Sequence, residues 1–449
     1  MMPLQARLDN QLPDVIHVGR GSAMLLRGSY DVPAVAGEVA VMVDGVARPP
    51  EVISRAGERR QFWSIVQLPS TFAPSDLSIV LRHREPCGAE SWDVLAELHL
   101  SAGRPDAPAA DPPLAGRADA GALPLVAICL ATYQPKAELL RAQIESLRAQ
   151  RHVQWIALIS DDGSSPAACQ AISALTAGDD RFHIIWNRDR RGYYGNFERA
   201  LMAVPAWADY VALCDQDDIW HPQKLRRLID ALAPRARSLA CCDARVVDDQ
   251  GRVRSHTMWT SRRRGGGDLR SLLAANSVCG ATTVFDRRLL DVALPFPVGP
   301  DILYHDQWIG VVAAAGGGVT WVDEPLVDYV QHDGNAFGHA RAVADEVTHL
   351  RLNQTLHAMA SAGAPRSSLP GHIDALMRAR LLETALTLRL GRHGEPLQRS
   401  VGDWRRVAAR HAGRALLARA RGGAAGAEAG VAWGALAAAA TARQGSGAS

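Results

Sequence analysis

The chain has 449 residues, 47% of them hydrophobic and 21% charged, the balance of a globular protein with two or three sizeable domains. Forty-nine Lys and Arg stand against 47 Asp and Glu, and the formal charge of +2 gives no global reason to expect nucleic acid. No unbroken apolar run reaches the ~18 residues that would span a bilayer.

Seven cysteines occur, and Cys129, Cys214, Cys279 and the Cys241-Cys242 pair lie inside apolar runs without zinc-ligand or disulfide spacing. They read as reduced core residues, and with no basic-then-apolar signal peptide at the N-terminus the expected location is cytoplasmic.

Residues 1–100 carry short β-rich runs broken by turns: Ala23–Leu26, Val39–Val43, Phe62–Val66 and Leu77–Leu81, with Asp44-Gly45 as a hairpin signal. A small β-sandwich-like accessory domain is expected, serving either carbohydrate binding or plain packing. Residues 101–122 are Ala, Pro, Gly and Asp with almost no large apolar side chains, so they read as a linker.

Residues 123–340 alternate strand and helix signals. Leu125–Ala131 reads as strand, Leu139, Leu140, Ile144 and Leu147 mark a helix, and Trp155–Ile159 and Phe182–Trp186 are further strands. That order predicts an α/β domain with a parallel sheet, whose ligands bind beyond the carboxyl ends of the strands. Polar chemistry collects at three such ends: Thr132-Tyr133, Asp161-Asp162-Gly163-Ser164-Ser165, and Asp215-Gln216-Asp217-Asp218. The last follows the apolar run Tyr210–Cys214 and precedes Trp220, Pro222 and a helical pattern of Leu225, Leu228, Ile229 and Leu232. Three carboxylates at the end of a buried strand cost desolvation unless a cation shares the site, and an oxygen-rich set suits Mg²⁺ or Mn²⁺. A solvated acidic turn is the plainer alternative.

Val126 to Leu232, with Ala131-Thr132-Tyr133, Gln143–Leu147, Ile159–Ser165, Gly192, Asn196-Phe197 and Asp215–Asp218 in fixed order, resembles the nucleotide-sugar-binding half of a family 2 glycosyltransferase of the GT-A fold. The likeness continues to about Gly338 and leans toward bacterial surface-polysaccharide, rhamnosyltransferase-like members. It implies that Thr132, Tyr133 and Asn196 line the nucleotide and that Asp161 or Asp162 accepts the pyrimidine N3 proton. It further implies that Asp215 lies near ribose or metal, and that Asp217 holds the metal. Asp218 is an additional acid that could cap the following helix.

Ser277–Thr283 resembles the family's glycine loop, with Gly280 beside donor sugar and acceptor, although a strand bulge would also use glycine there. Tyr304-His305-Asp306-Gln307-Trp308 opens a helix. The resemblance makes Asp306 the general base, puts Trp308 near the sugars, and has His305 in place of the usual preceding acid; a plain helix N-terminal acid is the alternative for Asp306. His332 falls where the family carries a His able to reach the metal, or is structural. Arg262–Gly267 is a basic glycine loop, either touching a phosphate or solvated.

Residues 341–421 read as helices over Val343–Ala360, Ile373–Leu390 and Leu397–Arg421, followed by an Ala/Gly-rich tail over 422–449. This end holds fifteen Arg and seven acids, and its last helix sets Leu397, Val401, Trp404, Ala408 and Leu416 near one face. Such a basic amphipathic helix can lie on the inner face of an anionic membrane or pack on the protein. The resemblance implies an inverting transferase moving a sugar from a UDP- or dTDP-linked donor to a saccharide or lipid-linked saccharide acceptor. A non-catalytic saccharide-binding protein and a sugar nucleotidyltransferase are the rivals, and the second lacks its basic glycine-rich loop after Leu130.

Overall fold

Two stacked, largely antiparallel sheets occupy the first hundred residues of a computed structural model, which describes residues 4–101, 123–332 and 369–390 apart from 34, 49, 57–58, 69, 71–74, 233–237, 260–266, 275 and 300–302. The strands are β1 (Arg7–Leu8), β2 (Val15–His17), β3 (Ser22–Asp31), β4 (Glu38–Val43), β5 (Val46–Arg48), β6 (Glu51–Ala56), β7 (Arg59–Leu68), β8 (Ser75–Arg84) and β9 (Glu90–Ser101). Within the described residues they form one sheet in the order β1-β3-β7-β6 and another in the order β2-β9-β8-β4-β5. Leu26, Phe62, Val66, Ile79 and Leu81 are buried in one core, which makes this unit a β-sandwich. Asp44 and Gly45 both take positive φ (48° and 73°) between Val43 and Val46, the backbone that a two-residue hairpin requires.

The second unit is built on β10 (Leu125–Thr132), α1 (Ala137–Arg148), β11 (Gln154–Asp161), α2 (Pro166–Thr176), β12 (Phe182–Trp186), α3 (Gly192–Met202), β13 (Tyr210–Cys214), β14 (Ile219–Trp220) and α4 (Lys224–Ala231). It continues with β15 (Ser238–Asp248), β16 (Val253–Ser255), α5 (Leu269–Ala274), β17 (Thr283–Asp286), α6 (Leu290–Ala293), α7 (His305–Ala315) and β18 (Gly318–Gln331). Its mixed sheet runs β12-β11-β10-β13-β17-β15-β18-β14, with β16 beside β15. The first four strands are parallel, and β17 runs antiparallel to both β13 and β15.

Local sequence explains the helices that carry the site. Ser165 caps α2 by accepting from the Ala168 amide at 3.4 Å, with Pro166 in the first turn where its missing N–H costs nothing. Leu140, Ile144 and Leu147 form the buried stripe of α1 against Val126, Ile128 and Ile159, each fully buried Leu stabilising by about 1.5–3 kcal/mol. Because the chain winds outward from β10 through β11 to β12 and then returns to place β13 on the other side of β10, a crevice opens between the carboxyl ends of β10 and β13.

α8 (Leu369–Leu390) belongs with the first unit, as does the segment Pro297–Leu303. Val298 donates its amide to Ala23 O at 3.0 Å and accepts from Leu25 N at 2.9 Å. On α8, Met377, Leu381, Ala385 and Leu386 are buried, and Arg389 Nε donates to Gly21 O at 2.8 Å. Gly21 has φ +116°, and a Cβ there would stand 3.0 Å from Leu388 Cβ. The linker over 102–122, the helices read over Val343–Ala360 and Leu397–Arg421, and the tail lie outside the described residues. Among the described residues no helix is long and apolar enough to cross a membrane.

Candidate active site

At the carboxyl end of β10 the chain leaves the sheet at Thr132, and the Tyr133 ring is 37% exposed. The Arg190 guanidinium sits over that ring, 4.1 Å from its centroid. Asp161 closes the end of β11: Oδ1 accepts from Thr132 Oγ1 at 3.0 Å and Ser164 Oγ at 2.6 Å, and Oδ2 accepts from Ser164 N at 2.8 Å. Asp162 accepts one backbone amide on each oxygen, Arg191 N at 2.7 Å and Gly192 N at 2.9 Å, where α3 begins. Burial pushes its carboxyl up, opposed by those two amides and by the Arg190 charge.

The acidic turn after β13 is a site of concentrated negative charge. Asp217 Oδ2 lies 2.9 Å from His332 Nε2, both side chains largely buried. Asp215 is pushed up to about 7 by burial and by the neighbouring Asp217 and Asp306 carboxylates. Asp217 is also raised, chiefly by burial, although His332 opposes the shift. Asp218 is fully buried; its Oδ1 accepts from Val330 N at 3.1 Å, so it ties the turn to β18 and does not cap α4, which starts at Lys224. Beneath the turn Lys224 is fully buried with Nζ 3.0 Å from the Trp220 ring centroid, and burial holds its amine down to about 8.

Asp306 enters from the first turn of α7. Its Oδ1 accepts from Asn276 Nδ2 and from its own neighbour Gln307 N, both at 2.8 Å, and Oδ2 accepts from Gly280 N at 3.0 Å. The neighbouring His305 stacks on Phe197 at 3.8 Å between ring centroids and 17° between planes. A Cβ at position 280 would stand 2.9 Å from His305 Nε2, so glycine is what lets this loop close on α7. Burial lowers the His305 pKa, against the pull of the neighbouring Asp306 charge.

Residues 127–293, spanning these strand ends and the glycine loop, match the family model for glycosyl transferase family 2. This segment is a family 2 glycosyltransferase domain. An uncharacterized protein of Mycobacterium tuberculosis is 29% identical over 201 residues, 43% of this chain and 56% of that protein. The putative teichuronic acid biosynthesis glycosyltransferase TuaG of Bacillus subtilis is 26% identical over 113 residues, 25% of this chain and 44% of TuaG. The chain thus spans about half the length of these curated relatives. Among solved structures, the mannosyltransferase PcManGT from Pyrobaculum calidifontis in complex with GDP-Man and Mn²⁺ aligns with a TM-score of 0.38 and 17% identity, over 73% of this chain and 88% of that one.

Three residues of the glycosyltransferase domain expected beside ligands belong instead to its framework. Asn196 is buried, its Nδ2 donating to Thr132 O at 3.2 Å and Ser160 O at 3.0 Å while Oδ1 accepts from Asn187. Thr132 is likewise buried and spends its hydroxyl on Asp161. Trp308 is 0% exposed and donates its indole N–H to Ala293 O at 2.8 Å, because α7 presents that face to the core. Sequence reasoning missed Gln216, Asn276, Arg190 and Lys224. Only Lys224 had a local signal, standing two residues after Pro222 where the apolar helix face begins.

No group of three or more His, Cys, Asp or Glu stands close enough to hold a metal ion among the described residues. The donors that do converge are Asp217 and His332, with Asp215 adjacent. One or two carboxylates with substrate phosphates are the usual way to hold Mg²⁺, and imidazole also suits Mn²⁺. Asp217 and His332 supply one carboxylate and one imidazole at 2.9 Å from each other, a pair that fits such an ion when substrate phosphates complete its shell.

Proposed function

We propose that the domain transfers a sugar from a nucleoside diphosphate donor, UDP- or dTDP-linked, to a hydroxyl of a saccharide acceptor, with inversion at the anomeric carbon, in the building of cell-surface polysaccharide. The observation that carries this reading is the Asp217–His332 pair after β13 together with an Asp306 carboxylate held by Asn276 and the Gly280 amide. Asp306 is held at both oxygens by Asn276 and Gly280 and takes the proton of the attacking acceptor hydroxyl. One base on one face of the sugar gives a single displacement and hence inversion. Asp217 and His332, with Asp215 beside them, would hold Mg²⁺ or Mn²⁺, which when bound supplies positive charge to the departing diphosphate.

Tyr133 offers the ring on which a base stacks. Each Asp162 oxygen accepts one amide and keeps one lone pair, so this carboxylate, less engaged than Asp161 with its three bonds, receives an imide N–H. The loop of Gly280, whose amide holds Asp306, would lie beside the two sugars. A lipid-linked acceptor would be met at the inner membrane face through the basic C-terminal helix, which lies outside the described residues.

Thermal stabilisation by UDP, dTDP and GDP, each with and without Mn²⁺, tests the reading on wild type and Asp217→Ala. Stabilisation by one pyrimidine diphosphate only with metal, lost in Asp217→Ala, is the expected result. Absence of stabilisation by every nucleotide would overturn it.

A further inference from the structure

The backbone ladder joining β10 to β13 runs from Val126 opposite Tyr210 to Leu130 opposite Cys214 and stops there. Beyond it the two chains separate, one into Thr132-Tyr133 and the other into the acidic turn. A side chain then restores the tie. Gln216 Oε1 accepts the Tyr133 amide at 2.9 Å, and Gln216 Nε2 donates to the Tyr133 carbonyl at 3.2 Å. Both backbone polar groups of one residue are thus satisfied by one amide, as a neighbouring strand would satisfy them. The pairing also fixes the amide's orientation, since the Tyr133 N–H can meet only the oxygen.

Gln216 sits between Asp215 and Asp217, and it grips the backbone of the residue whose ring is the exposed stacking surface. A second set of bonds continues from Tyr133 to β11: Gln134 N donates to Ser164 Oγ at 2.8 Å, and Ser164 Oγ donates to Asp161 Oδ1 at 2.6 Å. Gln216 thus ties the base platform to the carboxylate turn by two hydrogen bonds. On the donor reading above, we infer that Gln216 is a positioning residue that couples base stacking at Tyr133 to cation binding at Asp215 and Asp217. Ordering either loop orders the other, so each ligand lowers the ordering cost of the other by the same factor.

A nucleoside diphosphate could couple to a cation by direct contact through its phosphates, so the probe must lack them. Equilibrium dialysis of the labelled nucleoside (uridine, thymidine or guanosine, matching whichever diphosphate stabilises the protein) is compared with and without saturating Mn²⁺. Wild type is expected to bind the nucleoside about fivefold or more tighter with Mn²⁺, the lower end of ordinary coupling between sites. Gln216→Ala is expected to bind it equally with and without the ion, and Gln216→Glu, which keeps the acceptor and loses the donor, to fall between. A wild-type factor of one, or an undiminished factor in a folded Gln216→Ala, overturns the coupling. If no diphosphate stabilises the protein at all, the donor reading itself fails. If a diphosphate binds and the nucleoside factor ignores Gln216, only the present inference fails.

Discussion

Asp306 Oδ2 accepts the Gly280 amide at 3.0 Å, and at the same glycine a Cβ would press on His305 Nε2. The glycine loop and the first turn of α7 thus hold the candidate base between them, one through a hydrogen bond and the other through close approach. Replacing Asp306 by Asn is expected to reduce turnover by about 10²–10⁴, the range of general-base contributions, with donor affinity little changed. Donor hydrolysis and transfer rates check this, and a loss of only a few-fold would remove Asp306 from the base role.

Gly280→Ala should destabilise the domain by about 1–3 kcal/mol, because the new methyl would press on the stacked His305 imidazole at 2.9 Å, with Asp306 Cβ and Leu213 Cδ1 each 3.6 Å away on its other sides. The double variant with His305→Ala relieves that overlap, so its cost should fall below the sum of the two single losses. Urea denaturation of all four proteins measures the interaction energy directly. Strict additivity would show that the loop yields elsewhere.

The Asp217–His332 pair predicts a shared phenotype from residues 115 positions apart. A nucleotide at about one hundred times its dissociation constant adds about 2.7 kcal/mol to the unit that binds it. Asp217→Ala and His332→Ala should each lose the metal-dependent part of that gain while melting normally without ligand. Retention of the full metal effect in His332→Ala would assign His332 to structure alone.

Acid stability offers a test away from the site. Asp179 accepts from Arg181 and Arg148, and these hold its carboxyl down to about 2, from an ordinary value of 3.8. A depressed folded pKa favours the folded state above the unfolded pKa, and that contribution disappears as pH falls from about 4 through about 2. Asp179→Asn should therefore melt lower than wild type at pH 6, by ~1 kcal/mol or less because the arginines are partly exposed. The two melting curves should converge below pH 2, and a constant difference across that window would refute the linkage.

Much of this arrangement was legible because it is local. Apolar runs located β10, β11, β12 and β13, helical spacing located α1 and α4, and Asp44-Gly45 announced its own hairpin. Acidic turns after strands pointed to the crevice between β10 and β13. What escaped is long-range: nothing in the spacing says that Gln216 meets Tyr133 or that Asn276 meets Asp306. Motif position also misleads about orientation. Asn196, Thr132 and Trp308 stand near the chemistry in sequence, yet each has its polar group committed to holding strands and helices in place.

The membership of Pro297–Leu303 and α8 in the first unit bears on how the chain is made. Val298 fills hydrogen bonds of Ala23 and Leu25, and Arg389 fills one of Gly21 just before β3, so β3 and the residue that leads into it have partners that leave the ribosome about 275 and 368 residues later. The nascent first hundred residues must wait, with their strands emerged but part of β3 still uncovered, until the rest of the polypeptide is synthesised. Expression of residues 1–100 alone would reproduce that waiting state, not the finished unit.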